Sequence, residues 1–559
     1  MPRASLSIAR LDRLLGRRTT RSELTELLFP SKAQVEGGEG DVLDVEGTAD
    51  RLDLLTEGGL ALHLAGVLGS AEGPPALTPP RGPPFSLVVD PSVVPLRPAI
   101  AGLVVEPPEG STLDDDLLAE AIQFQELLHA TIGLDRRLAS LGMYPMARVR
   151  APVRYSLEPL ESVRFVPLDA TEPVDGGSFF EGHPMALRYG RFGRVDDRCL
   201  TLRDARGEIL SLPPILNARS TGEARAGDTG LLLESTGTRA SRVGDMLGLL
   251  SLVFAARGWR VGPVAVEGGG GAGDGSAVLR PRRLHLRATT LAALGGTDLP
   301  PAKVESLLRR GRLAARRDRD GWSVEAPPWR PDLHAEVDVA EDVLLADGVR
   351  AEDGVLLPSP TRGRVSPEAR FRTRASELLL GLGFVPLYTT ILVPERIVGL
   401  AGRTEALAVT NPVSDQFARL RDAILPSLLG TLEHNVRHGY PQRFSEVGPV
   451  VRPAPGSETG AETRHHAGAF IASDRAGFAD AAALVDYLSR SFGAQGVREP
   501  APLPGTIPGR AAIVRLAGEP IAELGEIAPA ILHELRVPMP VAWAEIDLTA
   551  LLALVRRPA

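Results

Sequence analysis

A chain of 559 residues is too long for one hydrophobic core, and at roughly 150 residues per domain three or four are expected. Hydrophobic residues at 43% and charged residues at 24% predict ordered globular domains, and 62 basic against 70 acidic side chains (net −8 at pH 7) exclude a surface coated for nucleic acid. The single cysteine, Cys199, excludes a disulfide framework and any cysteine-built zinc or iron–sulfur site.

The start, MPRASLSIARLDRLLGRR, has no apolar h-region, and no run reaches the roughly 18 apolar residues of a membrane span, so a soluble cytoplasmic protein is expected. The basic residues are nearly all arginine. Only Lys32 and Lys303 are lysines, and neither sits in a GxxxxGK[ST] context, which excludes a Walker A lysine. Aromatic residues at 4% argue against stacking platforms for single-stranded nucleic acid.

Three Pro/Gly-rich stretches punctuate the chain: Gly69 to Pro84, Glu267 to Ser276 and Pro358 to Glu368. They predict four blocks, at 1–85, 86–275, 278–355 and 360–559. Block one holds a helical stretch from Ser22, a candidate N-cap, to Leu28, the strand-like VLDVEG, and an amphipathic helix over Asp53 to Leu68. In block two a strand at Ala99 to Glu106 leads through Ser111 and Asp114 into a helix ending near His129. Gln125 lies on that helix's apolar stripe with Leu118, Ile122 and Leu128, and Arg136 and Arg137 follow its C-terminus. Further on, SLPPILN from Ser211 and LLLESTGT from Leu231 put hydroxyls and a carboxylate at strand ends. Glu234 and Thr236, two apart, share one face of a strand and are placed to line a small polar pocket, or to form a structural turn.

Block three carries the sharpest cluster, Asp332, Asp338, Glu341 and Asp342 in RPDLHAEVDVAEDVLLADG. On a helix from about Asp332 the last three share a quadrant, with Val337, Ala340, Val343 and Leu344 opposite. Such a group is either a site for a hard divalent cation or a solvated acidic face at a helix N-terminus. Block four opens with a helix over Glu368 to Leu382 and continues with a long amphipathic helix started or kinked near Pro426. The adjacent His465 and His466 are expected in an exposed loop. Overall the pattern predicts an α+β, multidomain protein.

In order, these segments resemble the beta subunit family of phenylalanine–tRNA ligase in its shorter archaeal and eukaryotic-type form. ADRLDLLTEGG resembles the N-terminal R-x-D-L-L…E-G element of a B1-like domain. RPAIAGLVVE, FQELLHATIG, LPPILNARSTG and LLLESTGT follow the order of the B3/B4 editing domain. PPWRPDLHAEVDVAED looks like the signature of a B5 domain of winged type. NPVSDQFARLRDAILPSLLG, QRFSEVG and GEIAPAIL resemble the class II synthetase catalytic-like domain, an antiparallel-sheet module.

The resemblance implies an α2β2 heterotetramer with the alpha subunit, acting on tRNA(Phe). The alpha subunit would use ATP and carry out the ligation, and Mg2+ would be shared between the subunits through Asp332, Asp338, Glu341 and Asp342. It implies an editing pocket built from Gln125, Arg136, Leu202, Ser211, Glu234 and Thr236, which hydrolyses mischarged Tyr-tRNA(Phe). A site for phenylalanine rejects tyrosine poorly, so a second site that hydrogen-bonds the extra hydroxyl is expected. Block four offers Arg443 as a motif-2 arginine but WAEIDLTALL has no G-x-G-x-x-R, which predicts no working synthetic site there. Two departures fall near the editing site: Leu134 stands where the family has arginine, and LGMYPMA stands for I-G-x-H-D-L-D. They keep open a scaffold whose editing has decayed; a free-standing Tyr-tRNA deacylase is the third reading.

Overall fold

The computed structural model describes residues 2–82, 84–268, 275–296, 298–348 and 362–556. Of the linkers expected at Glu267 to Ser276 and Pro358 to Glu368, residues 269–274 and 358–361 lie outside the described residues. The chain forms two compact units, Met1–Val355 and Leu356–Ala559. The first contains the blocks expected at 1–85, 86–275 and 278–355, and the second the block at 360–559. Among the described residues no helix is long and apolar enough to cross a membrane.

The first unit begins with a three-stranded antiparallel sheet of Arg3–Ser7, Ala33–Gly37 and Val42–Gly47, with Val42–Gly47 in the middle. The helix expected from Ser22 runs over Arg21–Leu28 and is capped by Thr20, whose hydroxyl accepts from Glu23 N–H. The helix expected over 53–68 is broken. A 3-10 turn at Leu52–Leu55 is followed by Thr56 in extended conformation, and the α-helix begins only at Glu57–Val67. The break follows from side-chain bonds. Arg51 clamps Asp53 through two bonds of 2.9 Å, and Glu120 accepts from the Thr56 hydroxyl and from Gly58 N–H.

Next comes a four-stranded antiparallel sheet, in the order Arg260–Pro263, Ala99–Glu106, Leu231–Gly237, Ala139–Pro145. Its Leu103, Leu141, Leu231 and Leu233 join one core with Leu6, Leu54 and Leu60 and with the helix Ala240–Ala255, so the N-terminal sheet and this sheet share an interior. Alternate residues, including Ile100, Val104, Tyr144 and Leu232, face a second core. That core contains Val153, Leu200 and Leu210 from a larger mixed sheet. Burial on both faces explains why LLLESTG reads as a near-continuous apolar run. The helix after Asp114 runs over Asp115–Ala130. Asp114 is its N-cap, accepting from Leu117 N–H at 2.7 Å, and Leu117, Ala121, Phe124 and Leu128 are its buried stripe.

The unit closes with a small antiparallel sheet of Arg282–Arg287, Gly321–Ala326 and Ala314–Arg317, packed on helices that include Pro301–Arg310 and Glu336–Asp347. The last helix starts at Glu336 rather than Asp332, because the Asp338 carboxylate accepts from His334 and Ala335 N–H groups and fixes the start. With that register Val339, Ala340 and Val343 are buried, and Val337, expected inside, is exposed.

The second unit is a seven-stranded sheet flanked by helices. Its core is antiparallel: Gln442–Pro453, Ala461–Ala472, Val541–Asp547, Glu519–Ile527, Thr506–Leu516 and Val497–Pro500, in that order. Val385–Pro386 pairs parallel at one edge. The helix expected near Pro426 spans Leu425–His434 and carries the proline in its first turn. His465 and His466 are strand residues, and His466 is buried, which corrects the exposed-loop expectation. On a central strand, alternation sends one of two neighbours inward.

Candidate functional site

A cavity of about 350 Å³ opens in the first unit between the helix Asp115–Ala130, the strand Ala139–Pro145 and the turn after Ser211. Leu118, Ile122, Met143, Met185 and Pro213 supply its apolar wall. Its polar groups include Gln125, Glu126, Arg136, Ser211, Asn217 and Glu234. Four of the six residues expected in an editing pocket therefore line one cavity. Leu202 does not: it is buried in the core between the sheets. Thr236 sits behind the wall, its hydroxyl 3.2 Å from Ser140 Oγ.

Glu234 is the chemical centre of the floor. It lies between two glycines, Gly102 and Gly142, on the flanking strands. A Cβ at Gly142 would fall on the Tyr144 hydroxyl and 2.6 Å from Glu234 Oε2, so only glycine leaves room for this arrangement. The Tyr144 hydroxyl donates to Glu234 Oε2 at 3.0 Å and lies 2.8 Å from Ser211 Oγ. Glu234 Oε1 is buried with no hydrogen-bond partner. Burial pushes the Glu234 carboxyl up to about 7, against the pull of Tyr144's hydrogen bond and the Arg97 guanidinium. A carboxylate oxygen buried this way is costly unless a ligand satisfies it.

Arg97, fully buried, holds the pocket from behind. It donates to Thr236 Oγ1 (3.1 Å), the Thr236 carbonyl (2.7 Å), Ser140 Oγ (3.0 Å) and the Arg136 carbonyl (3.2 Å). Burial lowers its pKa to about 10. At the rim, Arg136 ends a run of three residues at positive φ (Leu134, Asp135 and Arg136). Its guanidinium pairs with Glu126 at 2.9 Å, donates to the Ile215 carbonyl at 3.0 Å and lies 4.7 Å from the Tyr189 ring centroid. Leu134, where the resemblance leads one to expect arginine, is half exposed and does not line the cavity. His129 accepts from Leu141 N–H through Nε2 at 2.8 Å, so Nδ1 carries the proton toward Glu126 Oε1 at 3.1 Å. Burial lowers the His129 pKa, and the bonds from His129 and Arg136 outweigh burial to hold Glu126 at about 2.

Sequence reasoning missed Glu126, Tyr144, Asn217 and Arg97. Tyr144 stood in view as part of a departure from a motif. Arg97 had only the hint of a lone arginine in the apolar run LRPAIAGLVV.

The four carboxylates of the third block do not converge. Asp332 and Asp342 each pair with the buried Arg330 at 2.7 Å, Asp338 caps its own helix, and Glu341 pairs with Lys32 at 2.7 Å. Lys32 also reaches Asp50 at 2.9 Å. Among the described residues no group of three or more His, Cys, Asp and Glu is placed to hold an ion. These residues do not fit a magnesium held by this chain alone. Every one of the four already has a cationic or N–H partner.

On the sheet of the second unit, buried polar side chains of one face are engaged with each other and with the backbone. Arg421 pairs with Glu446 at 2.8 Å, both buried. Glu545 accepts from Ile424 N–H (2.7 Å) and Leu425 N–H (3.1 Å), and lies 2.6 Å from His466 Nδ1. Arg443 is exposed, one residue out of phase with Phe444 and Glu446, and so is on the opposite face.

Comparison with known proteins follows this geometry. Residues 284–349 match the tRNA synthetase B5 domain, and residues 355–548 match the phenylalanyl tRNA synthetase beta chain CLM domain. The phenylalanine–tRNA ligase beta subunit of Aeropyrum pernix is 33% identical over 558 residues, covering 99% of each chain. The chain belongs to the phenylalanine–tRNA ligase beta-subunit family. The family's beta subunit from Archaeoglobus fulgidus is 29% identical over 560 residues, covering 98% of each chain. A crystal structure of an N-terminal fragment of the phenylalanyl-tRNA synthetase beta subunit from Pyrococcus horikoshii superposes with a TM-score of 0.57 at 25% identity. It covers 62% of this chain and all of the fragment.

Proposed function

We propose that this chain works in the cytoplasm as the beta subunit of an α2β2 phenylalanine–tRNA ligase, and that its cavity hydrolyses tyrosine mistakenly joined to tRNA(Phe). The single observation that carries the editing role is Glu234, a buried carboxylate with one unsatisfied oxygen on the wall of a cavity whose volume suits an aromatic amino acid. A tyrosine ring packed on Met143, Met185 and Pro213 would bring its phenol to Glu234, and phenylalanine would leave that oxygen unpaired. Among the described residues that line the cavity there is no histidine to act as a base, and its serines are engaged, Ser140 with Arg97 and Thr236 and Ser211 with Tyr144. Hydrolysis here is therefore attack by water on the aminoacyl ester, oriented by the polar rim of Gln125, Glu126 and Arg136.

The alpha subunit supplies ATP binding, phenylalanine activation and ligation. The packed polar face of the second unit supports this division, with Arg421 committed to Glu446 and Arg443 turned away. For magnesium, Glu341 is the most exposed of the four acidic side chains at 52%, and the remaining ligands would have to come from the alpha subunit.

The test is hydrolysis of Tyr-tRNA(Phe) by the assembled enzyme. Glu234→Ala should slow it by roughly tenfold to a hundredfold, the worth of one hydrogen bond to a charged acceptor. Absence of hydrolysis in the unaltered enzyme would leave the second reading, a scaffold with decayed editing, which the outward-facing Leu134 favours.

A further inference from the structure

Tyr144 has an unusual position for a core aromatic residue. Its ring is fully buried between the two sheets, packed in the cluster of Val153, Leu200, Leu210 and Leu232. Its hydroxyl nevertheless emerges on the cavity floor, because Gly142, two residues earlier on the same strand face, has no Cβ to block it. There, among the described residues, it hydrogen-bonds two polar groups, Glu234 Oε2 at 3.0 Å and Ser211 Oγ at 2.8 Å.

When Glu234 is ionised, the direction of this chain of bonds follows from counting protons. A phenol has one proton, and an ionised Glu234 has none to give. The Tyr144 proton therefore goes to Glu234, and the Ser211 proton goes to the Tyr144 oxygen. Ser211 and Tyr144 have no proton left for the cavity. Neither then offers a donor to a ligand, and the carboxylate of Glu234, a residue that lines the cavity, stands beside them as the acceptor.

We propose that Tyr144 is a positioning residue for substrate selection: by anchoring Glu234 Oε2, it holds the carboxylate as an oriented acceptor that selects aromatic aminoacyl groups bearing a ring hydroxyl able to donate. This rests on the reading of the cavity as the editing site and adds a rule to it. Selection follows the donated proton, so a ring oxygen without one is rejected like no oxygen at all. Tyr144 also supports the ionised form of Glu234, since its hydrogen bond opposes the upward push of burial.

The experiment has two arms, both on the full chain assembled with its alpha subunit. In the first, with the alpha subunit's phenylalanine site saturated by a non-hydrolysable phenylalanyl-adenylate analogue, calorimetry measures binding of L-tyrosine amide, O-methyl-L-tyrosine amide and L-phenylalanine amide. Tyrosine amide should bind at least about tenfold more tightly than the other two, and Tyr144→Phe should remove most of that preference. In the second, hydrolysis of Tyr-tRNA(Phe) is followed against pH. In Tyr144→Phe the rise in rate with pH should move to higher pH, because Glu234 loses a bond that favours its charged form.

A Tyr144→Phe variant that keeps both the tyrosine preference and the unaltered pH limb overturns the proposal. So does equal weakening of all three amides with the pH limb unmoved, which marks Tyr144 as packing only. Tight binding of O-methyl-tyrosine amide by the unaltered enzyme also overturns it. If the unaltered enzyme hydrolyses nothing yet shows a tyrosine preference that depends on Tyr144, the selection rule stands and the hydrolytic reading falls.

Discussion

Arg330 should be the most costly single truncation at the junction between the N-terminal sheet and the small third sheet. Its side chain is 4% exposed and pairs at 2.7 Å with Asp332 and with Asp342, which are 5% and 9% exposed. Arg51 and Asp53, bonded to each other, share its surroundings. Arg330→Met removes the one cation bonded to two buried carboxylates and leaves Arg51, already bonded to Asp53, as the neighbouring positive charge. Breaking a buried pair in this way costs about 3–5 kcal/mol. In a unit of this size, Met1–Val355, each kcal/mol shifts the melting temperature by roughly 1.3 °C, so a fall of about 4–7 °C is expected. Lys32→Met is the control. It removes a cation between Asp50 and Glu341, which are 42% and 52% exposed, and water replaces it at a cost of about 0–1 kcal/mol. Thermal unfolding followed by circular dichroism compares the two. A loss below about 1 kcal/mol in Arg330→Met, or equal losses in both variants, would refute the claim that burial rather than pair count sets the energetics here.

The isolated chain should show no phenylalanine-dependent ATP–pyrophosphate exchange, because Arg421 is bound to Glu446 and Arg443 lies on the wrong face; measurable exchange without the alpha subunit would contradict this. In the second unit, Glu545 and Asp547 raise the His466 pKa against burial, while its imidazolium holds Asp547 at about 2. The histidine's stabilising effect is present below its unfolded pKa of about 6.5 and is lost as pH rises through the raised folded value, whereas that of Asp547 is lost as pH falls from about 4 to 2. This unit should therefore be most stable between roughly pH 4 and 6.5, and His466→Gln should flatten the alkaline decline in urea midpoints. Gly142→Ala should abolish Tyr-tRNA hydrolysis while costing about 1–3 kcal/mol, since the added methyl displaces Glu234 and Tyr144; retained hydrolysis would show that the floor is not where the ring hydroxyl is read.

The local elements and the family order were legible in the residues because each rests on near-neighbour physics. Asp114 caps its helix, Pro426 opens another, and the turn before GWSVEA makes a hairpin. The alternation that put Glu234 and Thr236 on one strand face also held, since both face the second core. What period alone could not decide was which of the two meets the cavity. The strand is buried on both sides, and only the neighbouring Gly142 opens space at Glu234. The fate of the acidic cluster was equally beyond the spacing. Whether four carboxylates hold an ion depends on cations brought from elsewhere: Lys32 lies 309 positions from Glu341, and Arg330 reaches Asp342 only after the helix has turned. His466 went astray for the same reason, because its partners Glu545 and Asp547 come from a strand that reaches it only across the sheet. A sequence carries propensities over a few residues. Burial and charge balance are set by what the fold brings alongside from hundreds of residues away, and for this chain those distant partners decide which polar side chains remain free to meet a ligand.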